Sequence, residues 1–222
     1  MQCLGTMLKC QSRGDHLSFI TLTDGSKGFT QQPDIAPVEA ARIRNVEMSS
    51  LTERLKAEYI NLREPDEFLY DSPTVRMKLI EAIRHTNAQL VFTHYHEDYN
   101  LDHTTVSSLV RHCVMQACLP VLQTESTPLK ESPAIFMVAP HGSFVFPATH
   151  FVDISALMDK KIALLALHRS QEVAMQQSIG AGFERLCHRQ DGYWGQQAGC
   201  DYAEAFVPMR GRQTIKPYPV LP

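Results

Sequence analysis

Short uncharged apolar runs alternate along this chain with amphipathic segments of helical spacing. The runs at residues 90–93 and 134–138 are typical of strands buried in a parallel sheet. Such an alternation predicts an α/β fold in which a mostly parallel sheet is flanked by helices. The predicted helices are 3–13, 38–55, 74–86, 104–118 and 153–177, and the predicted strands are 17–22, 59–62, 90–93 and 134–138.

The predicted order begins with a helix, at residues 3–13. A parallel α/β domain ordinarily begins with a buried strand that leads into its first helix. We therefore expect the first strand of the sheet, and the loop after it, to be missing from this chain.

Composition excludes several classes of protein. Of the 222 residues, 44% are hydrophobic and 20% are charged, which is ordinary for a globular domain and unlike a disordered chain or a coiled coil. We predict a single domain over residues 1–222 with a Pro-rich tail at about 213–222. The net charge of −3 and the scattered basic residues argue against nucleic acid as a partner.

The same sequence predicts no membrane span, because no apolar stretch approaches the roughly 18 residues that a membrane helix needs. The start of the chain lacks the basic and apolar regions of a signal peptide, so we expect a cytoplasmic protein. The six cysteines form no CxxC pair, and we expect free thiols. A homo-oligomer is compatible with these features.

Metal-binding side chains concentrate directly after the apolar run at residues 90–93. Three histidines and two aspartates lie within ten residues, namely His94, His96, Asp98, Asp102 and His103. Ligands of open α/β sheets bind outside the carboxyl ends of the strands, and imidazole with carboxylate suits zinc or a similar divalent ion. The segment is therefore a candidate metal site. The alternative is a polar loop in which Asp102 caps a helix that begins at Thr104.

Two known motifs are similar to this segment. The residues His94-Tyr95-His96-Glu97-Asp98 resemble the HxHxD start of the metallo-β-lactamase motif, although Tyr99 stands where that motif has a histidine. The better resemblance is that of Asp98-Tyr99-Asn100-Leu101-Asp102-His103 to the second metal motif of the LmbE-like (PIG-L) deacetylases. Further segments resemble that family in the same order and extend the resemblance over about residues 2–207: Cys3-Leu4-Gly5-Thr6, Arg44-Asn45-Val46-Glu47, residues 62–66, Val152-Asp153-Ile154-Ser155, His168-Arg169-Ser170-Gln171 and residues 202–206.

This resemblance implies a Rossmann-like fold and a zinc-dependent hydrolase that removes the acetyl group from an N-acetylglucosamine-type sugar conjugate. It implies His103 as a zinc ligand and Asp102 as the carboxylate that orients the imidazole. Asn100 stands where many members carry a histidine that stabilises the oxyanion, and the resemblance implies catalytic roles for Asn100 and Asp102. Arg44 and Asp66 match the positions that contact the substrate, a small amino-sugar conjugate. His96 and Asp98 are further candidate site residues, whereas His94 is expected to close the strand.

One departure from the family pattern bears on activity. The family's His-Pro-Asp-Asp motif, which supplies two metal ligands and the general base, does not occur in this sequence. We therefore expect that the chain begins at an internal Met of a longer deacetylase. The alternatives are a non-catalytic remnant or binding protein and, less favoured, a metallo-β-lactamase-like hydrolase.

Overall fold

The computed structural model describes residues 2–141 and 145–210, so the predicted tail at 213–222 lies outside the described residues. Helices and strands alternate over most of this part. The elements are α1 (Leu4–Ser12), β1 (Ser18–Thr23), α2 (Pro37–Arg54), β2 (Glu58–Glu64), α3 (Pro73–Thr86), β3 (Leu90–His94), α4 (Leu101–Gln116), β4 (Ala134–Val138), β5 (His150–Asp153), a 3-10 turn (Ser155–Leu157), α5 (Met158–Leu165), α6 (Arg169–Ile179), α7 (Phe183–Ala198) and β6 (Ala203–Pro208).

The chain forms two compact units. The first comprises the residues up to Asp66 together with Phe151–Glu204. In this unit β1 and β2 pair in parallel, with Ser18 opposite Glu58, and α2 is the connection between them. A parallel pair needs such a crossover, because the chain must return to the starting end of the first strand before the second strand begins, and a short turn cannot span that distance.

The second unit comprises Glu67–His150 and the described residues from Ala205 onward. Here β3 and β4 pair in parallel without a bulge, from Leu90 opposite Ala134 to His94 opposite Val138, and α4 lies between them in the sequence. The carboxyl end of β3 therefore leads into the loop before α4. The strand β6 pairs with β4 in the antiparallel direction, with Phe206 opposite Val138.

The strand orders are β1-β2 and β3-β4-β6-β5. The predicted fold class, a mixed α/β structure with parallel strands flanked by helices, is confirmed. The parallel pairs contradict the metallo-β-lactamase alternative, which requires antiparallel sheets. The prediction of a single domain stays a prediction. None of the described helices is long and apolar enough to cross a membrane, and the six cysteines are free thiols.

Two predictions about individual elements are wrong. The strand at residues 90–93 was expected to be fully buried, yet only Thr93 of β3 is buried, because β3 is the end strand of its sheet. The long helix expected at residues 153–177 is interrupted, and α5 and α6 are separate helices. The start of α6 contacts α2. The buried Glu47 of α2 accepts hydrogen bonds from Ser170 N (2.7 Å) and Ser170 Oγ (2.6 Å).

A buried cluster of charges holds the first unit together. Lys161 of α5 is fully buried, and its Nζ lies 2.7 Å from both Asp191 Oδ2 of α7 and Glu204 Oε1 of β6. The carboxylate of Glu204 also accepts hydrogen bonds from the amides of Gly5 and Thr6 in α1, at 2.8 and 2.7 Å. Burial raises the pKa of Asp191 to about 6. Burial alone would lower the pKa of Lys161, but the two carboxylates outweigh it and raise that pKa.

We expect replacement of Lys161 by Met to destabilise the protein strongly. The two buried carboxylates would lose their countercharge, and breaking a buried ion pair in this way costs about 3–5 kcal/mol. The free energy of unfolding, measured in urea, reports the change. Lys160→Met is the matched control, because Lys160 is exposed on the same helix and should change stability by less than about 0.5 kcal/mol. Equal effects of the two variants would contradict this account of the cluster.

Candidate metal centre

The carboxyl end of β3 and the first turn of α4 bring two histidines together. His94 is the last residue of β3, and His103 is the third residue of α4. Their imidazole rings stack with centroids 4.1 Å apart and planes only 6° from parallel. This is the strand edge at which the sequence predicted a metal site.

Asp98, in the loop between β3 and α4, completes a group of three candidate ligands. Its Oδ2 lies 3.1 Å from His103 Nδ1, and its side chain is 3% exposed. One ligand atom from each of His94, Asp98 and His103 lies within 4.8 Å of the other two. A group of two imidazoles and one carboxylate has the size and donor types of a zinc site.

Two properties of the histidines fit this group to a metal. His103 Nδ1 is buried and makes no hydrogen bond within the described structure, despite its short distance from Asp98. A buried polar atom without a partner is costly, and a bound cation would satisfy it. Burial, followed by the neighbouring His103, lowers the pKa of His94 to about 3. His94 is therefore neutral at physiological pH, which is the form of imidazole that binds a metal.

Asn100 fixes the residue at which α4 begins. Its Oδ1 accepts hydrogen bonds from Asp102 N (2.8 Å) and His103 N (3.2 Å), which is the hydrogen bonding of a helix N-cap. Its Nδ2 donates to Glu67 Oε1 at 3.2 Å. The alternative that Asp102 caps a helix beginning at Thr104 is therefore wrong. The catalytic role expected for Asn100 stays a prediction.

Asp102 connects α4 to the segment that follows β2. Its buried carboxylate accepts hydrogen bonds from the backbone amides of Glu67 (2.8 Å) and Leu69 (3.1 Å). Both oxygens are thus engaged by backbone, and the carboxylate that lies against the imidazole of His103 is that of Asp98. The orienting role expected for Asp102 stays a prediction.

The other site candidates lie apart from the three ligands or in the other unit. His96 is exposed, its ring lies against Tyr95, and it does not belong to the group of His94, Asp98 and His103. His94, by contrast, was expected only to close the strand. It is indeed the last residue of β3, and its position at the carboxyl end of a parallel strand also makes it a candidate ligand.

Arg44 and Asp66, the predicted substrate contacts, belong to the first unit. Arg44 Nη1 donates to Ser170 Oγ (3.3 Å) and lies 3.6 Å from Glu47 Oε2. Burial, only partly offset by the acidic neighbours, lowers the pKa of Arg44. The oxygens of Asp66 accept hydrogen bonds from Thr23 Oγ1 (3.0 Å) and Lys27 N (2.9 Å). Substrate binding by Arg44 and Asp66 stays a prediction.

We expect Asp102→Ala to destabilise the protein by about 1–3 kcal/mol, because the amides of Glu67 and Leu69 would lose their acceptor. Ser108→Ala is the control, since Ser108 is exposed on the same helix. Thermal or urea unfolding of both variants gives the comparison. Hydrogen exchange should also accelerate at residues 67–69 in Asp102→Ala alone. Unchanged exchange there would show that the carboxylate does not hold this segment.

The chain is similar to a known protein family and to several solved structures. The PIG-L family, described as GlcNAc-PI de-N-acetylase, matches residues 1–114. An N,N'-diacetylchitobiose deacetylase from Pyrococcus horikoshii, complexed with its inhibitor MPG, is 24% identical with a TM-score of 0.79, over 92% of this chain and 77% of that one. The conserved protein TT1542 from Thermus thermophilus is 28% identical with a TM-score of 0.77, over 96% of this chain and 90% of that one.

The same fold also occurs with a different activity. The 4-carboxy-2-hydroxymuconate hydratase GalB from Pseudomonas putida has a TM-score of 0.79 at 18% identity, over 96% of this chain and 92% of that one. Structural likeness at this level of identity shows a shared fold, which does not by itself assign a reaction. The family match is the more specific finding because it covers about half of the chain, including β3 and the first turn of α4. The chain belongs to the PIG-L family.

Proposed function

We propose that this protein is a metal-dependent hydrolase that removes the acetyl group from an N-acetylglucosamine-type sugar conjugate, with zinc bound by His94, Asp98 and His103. The observation that carries the proposal is the convergence of three ligand atoms, each within 4.8 Å of the others, at the carboxyl end of a parallel strand. Membership of the PIG-L family supports deacetylation as the reaction.

The donor set supports a catalytic kind of zinc site. Catalytic zinc ions in proteins are held by about three side chains, commonly histidines with one carboxylate, and keep a further position open. Zinc bound in this way would polarise an amide carbonyl and lower the pKa of a water molecule. His94, Asp98 and His103 supply that number and combination of donors.

The chain's own residues would position these ligands. The cap by Asn100 places His103 in the first turn of α4, and Asp102 ties the same turn to the amides of Glu67 and Leu69. Asp98 Oδ1 accepts a hydrogen bond from Asn100 N at 3.0 Å, which holds Oδ2 on the side of His103. We assign positioning roles to Asn100 and Asp102 on these contacts, because polar atoms already engaged by backbone orient their neighbours.

Arg44 and Asp66 would contact the sugar. A guanidinium and a carboxylate offer directed donors and acceptors to hydroxyl groups. Arg44 is only partly exposed and has a single hydrogen bond, to Ser170, among those described for its guanidinium. Its remaining N–H groups can donate hydrogen bonds to a ligand that carries several oxygen acceptors.

We expect the purified protein to bind one zinc ion. Each of the variants His94→Ala, Asp98→Asn and His103→Ala should weaken zinc binding by more than about 100-fold. The reason is that even a residue that only orients a ligand contributes about 10–100-fold to metal affinity. Competition with a chromogenic chelator measures the affinity. His112→Ala is the matched control, because His112 is an exposed histidine of α4. Wild-type affinity in His94→Ala, with loss in His103→Ala, would remove His94 from the ligand set.

We expect acetate release from an N-acetylglucosamine glycoside that stops on treatment with a chelator and returns with added zinc. An enzymatic acetate assay measures the product, and His103→Ala should release none. Zinc binding without acetate release would favour the alternative of a non-catalytic binding protein. Absence of both zinc binding and acetate release would overturn the proposal.

A further inference from the structure

Tyr99 is a large aromatic residue that lies in the loop of the candidate metal centre and is 71% exposed. The residues on either side of it are fixed by hydrogen bonds. Asp98 Oδ1 accepts from Asn100 N at 3.0 Å, and Asn100 Oδ1 accepts from the first amides of α4. Tyr99 therefore lies at the centre of a turn whose two ends are held, and its backbone has little freedom left to lose when a ligand binds.

The ring of Tyr99 packs against one of the candidate ligands. Its centroid lies 6.2 Å from that of His103, with the two planes 68° apart, which is an edge-to-face arrangement. His103 Nδ1 in turn lies 3.1 Å from Asp98 Oδ2. Tyr99 is thus adjacent to the candidate metal centre twice, along the chain next to Asp98 and through space against His103.

The exposed surface of Tyr99 is available to a ligand. An aromatic residue that stays mostly in water contributes little to folding, whereas covering its apolar surface with a ligand is favourable. Sites for small molecules commonly combine such rings with a few polar groups that fix the orientation of the ligand. Here the polar groups are the candidate metal ligands Asp98 and His103, and the ring is Tyr99.

A pyranose ring is a suitable partner for this surface. Its chair form carries axial C–H groups on its faces and hydroxyl groups around its rim, so one face can pack on an aromatic ring. In N-acetylglucosamine the acetamido group is attached directly to the pyranose. A sugar packed on Tyr99 therefore has its acetamido group on the side of the site where Asp98 and His103 lie. An acyclic N-acetyl compound has the same reacting group but no such face.

We propose that Tyr99 is the surface on which the pyranose ring of the substrate packs, and that this residue selects a cyclic sugar over an acyclic N-acetyl compound. The inference rests on the proposed function, because it takes the candidate metal centre as the place where the acetamido group reacts. It assigns the recognition of the sugar ring to a residue beside the candidate ligands Asp98 and His103.

The test measures acetate release by the zinc-loaded protein from the methyl β-glycoside of N-acetylglucosamine and from the acyclic N-acetylethanolamine. Tyr99→Ala should raise KM for the glycoside about tenfold, which corresponds to about 1.4 kcal/mol, near the upper end for an aromatic contact. The value of kcat should not change, because a contact made equally in the bound substrate and in the transition state affects KM alone. For N-acetylethanolamine, kcat/KM should be the same in Tyr99→Ala and in the wild type.

Further variants and a binding measurement separate packing on the ring from other effects. Tyr99→Phe keeps the ring and should keep the wild-type KM. Tyr70→Ala is the matched control, since Tyr70 is a tyrosine of the same unit with 70% exposure. Calorimetry with the methyl β-glycoside of glucosamine, which is not turned over, should show about tenfold weaker binding to Tyr99→Ala. Zinc affinity, measured by chelator competition, should be unchanged in all three variants.

An unchanged KM for the glycoside in Tyr99→Ala, or an equal rise in Tyr70→Ala, would overturn the inference and leave the proposed function in place. A rise in Tyr99→Phe as large as that in Tyr99→Ala would show that the hydroxyl binds the substrate, and would also overturn packing on the ring. Absence of acetate release from both compounds in the wild type would reject the proposed function. Weaker calorimetric binding to Tyr99→Ala would in that case still support packing of a sugar on Tyr99.

Discussion

The side-chain amide of Asn100 determines where α4 begins, and the candidate metal centre depends on that position. Its Oδ1 pairs with the amides of Asp102 and His103, which places His103 in the first helical turn. From there its ring stacks on His94 at the end of β3. A helix that began at Thr104 would leave His103 in the preceding loop, without the cap that fixes its backbone.

Several polar groups around this N-cap are connected by hydrogen bonds. Asp98 accepts from the amide of Asn100, Asp102 accepts from the amides of Glu67 and Leu69, and Glu67 accepts from the side chain of Asn100. The exception is His103 Nδ1, which is buried without a hydrogen bond among the described residues. A buried nitrogen that lacks a hydrogen bond and lies beside a carboxylate is a candidate for metal binding, as part of the group formed by His94, Asp98 and His103.

The sequence identified the α/β class because the spacing of apolar residues along a short segment already distinguishes a helix from a buried strand. The helix of residues 74–86 was predicted closely, and it ends before Asn87, which adopts the left-handed conformation common at helix termini. The break between α5 and α6 was missed, and the residue that accepts hydrogen bonds from Ser170 at the start of α6 is Glu47, which is distant in the sequence. His94 was expected to close the strand and is the last residue of β3, but its stacking on His103 depends on how the loop between them folds and could not be predicted from the pattern.

Neither the fold nor the donor types of the candidate metal centre restrict the reaction to one kind. A deacetylase and a hydratase both share this architecture with the chain, at the same TM-score of 0.79. Deacetylation and hydration both need an activated water, so the candidate metal centre is compatible with either. The choice between them depends on what the site can bind beside the metal. The observation that separates the two reactions is the match to the PIG-L family, which supports deacetylation.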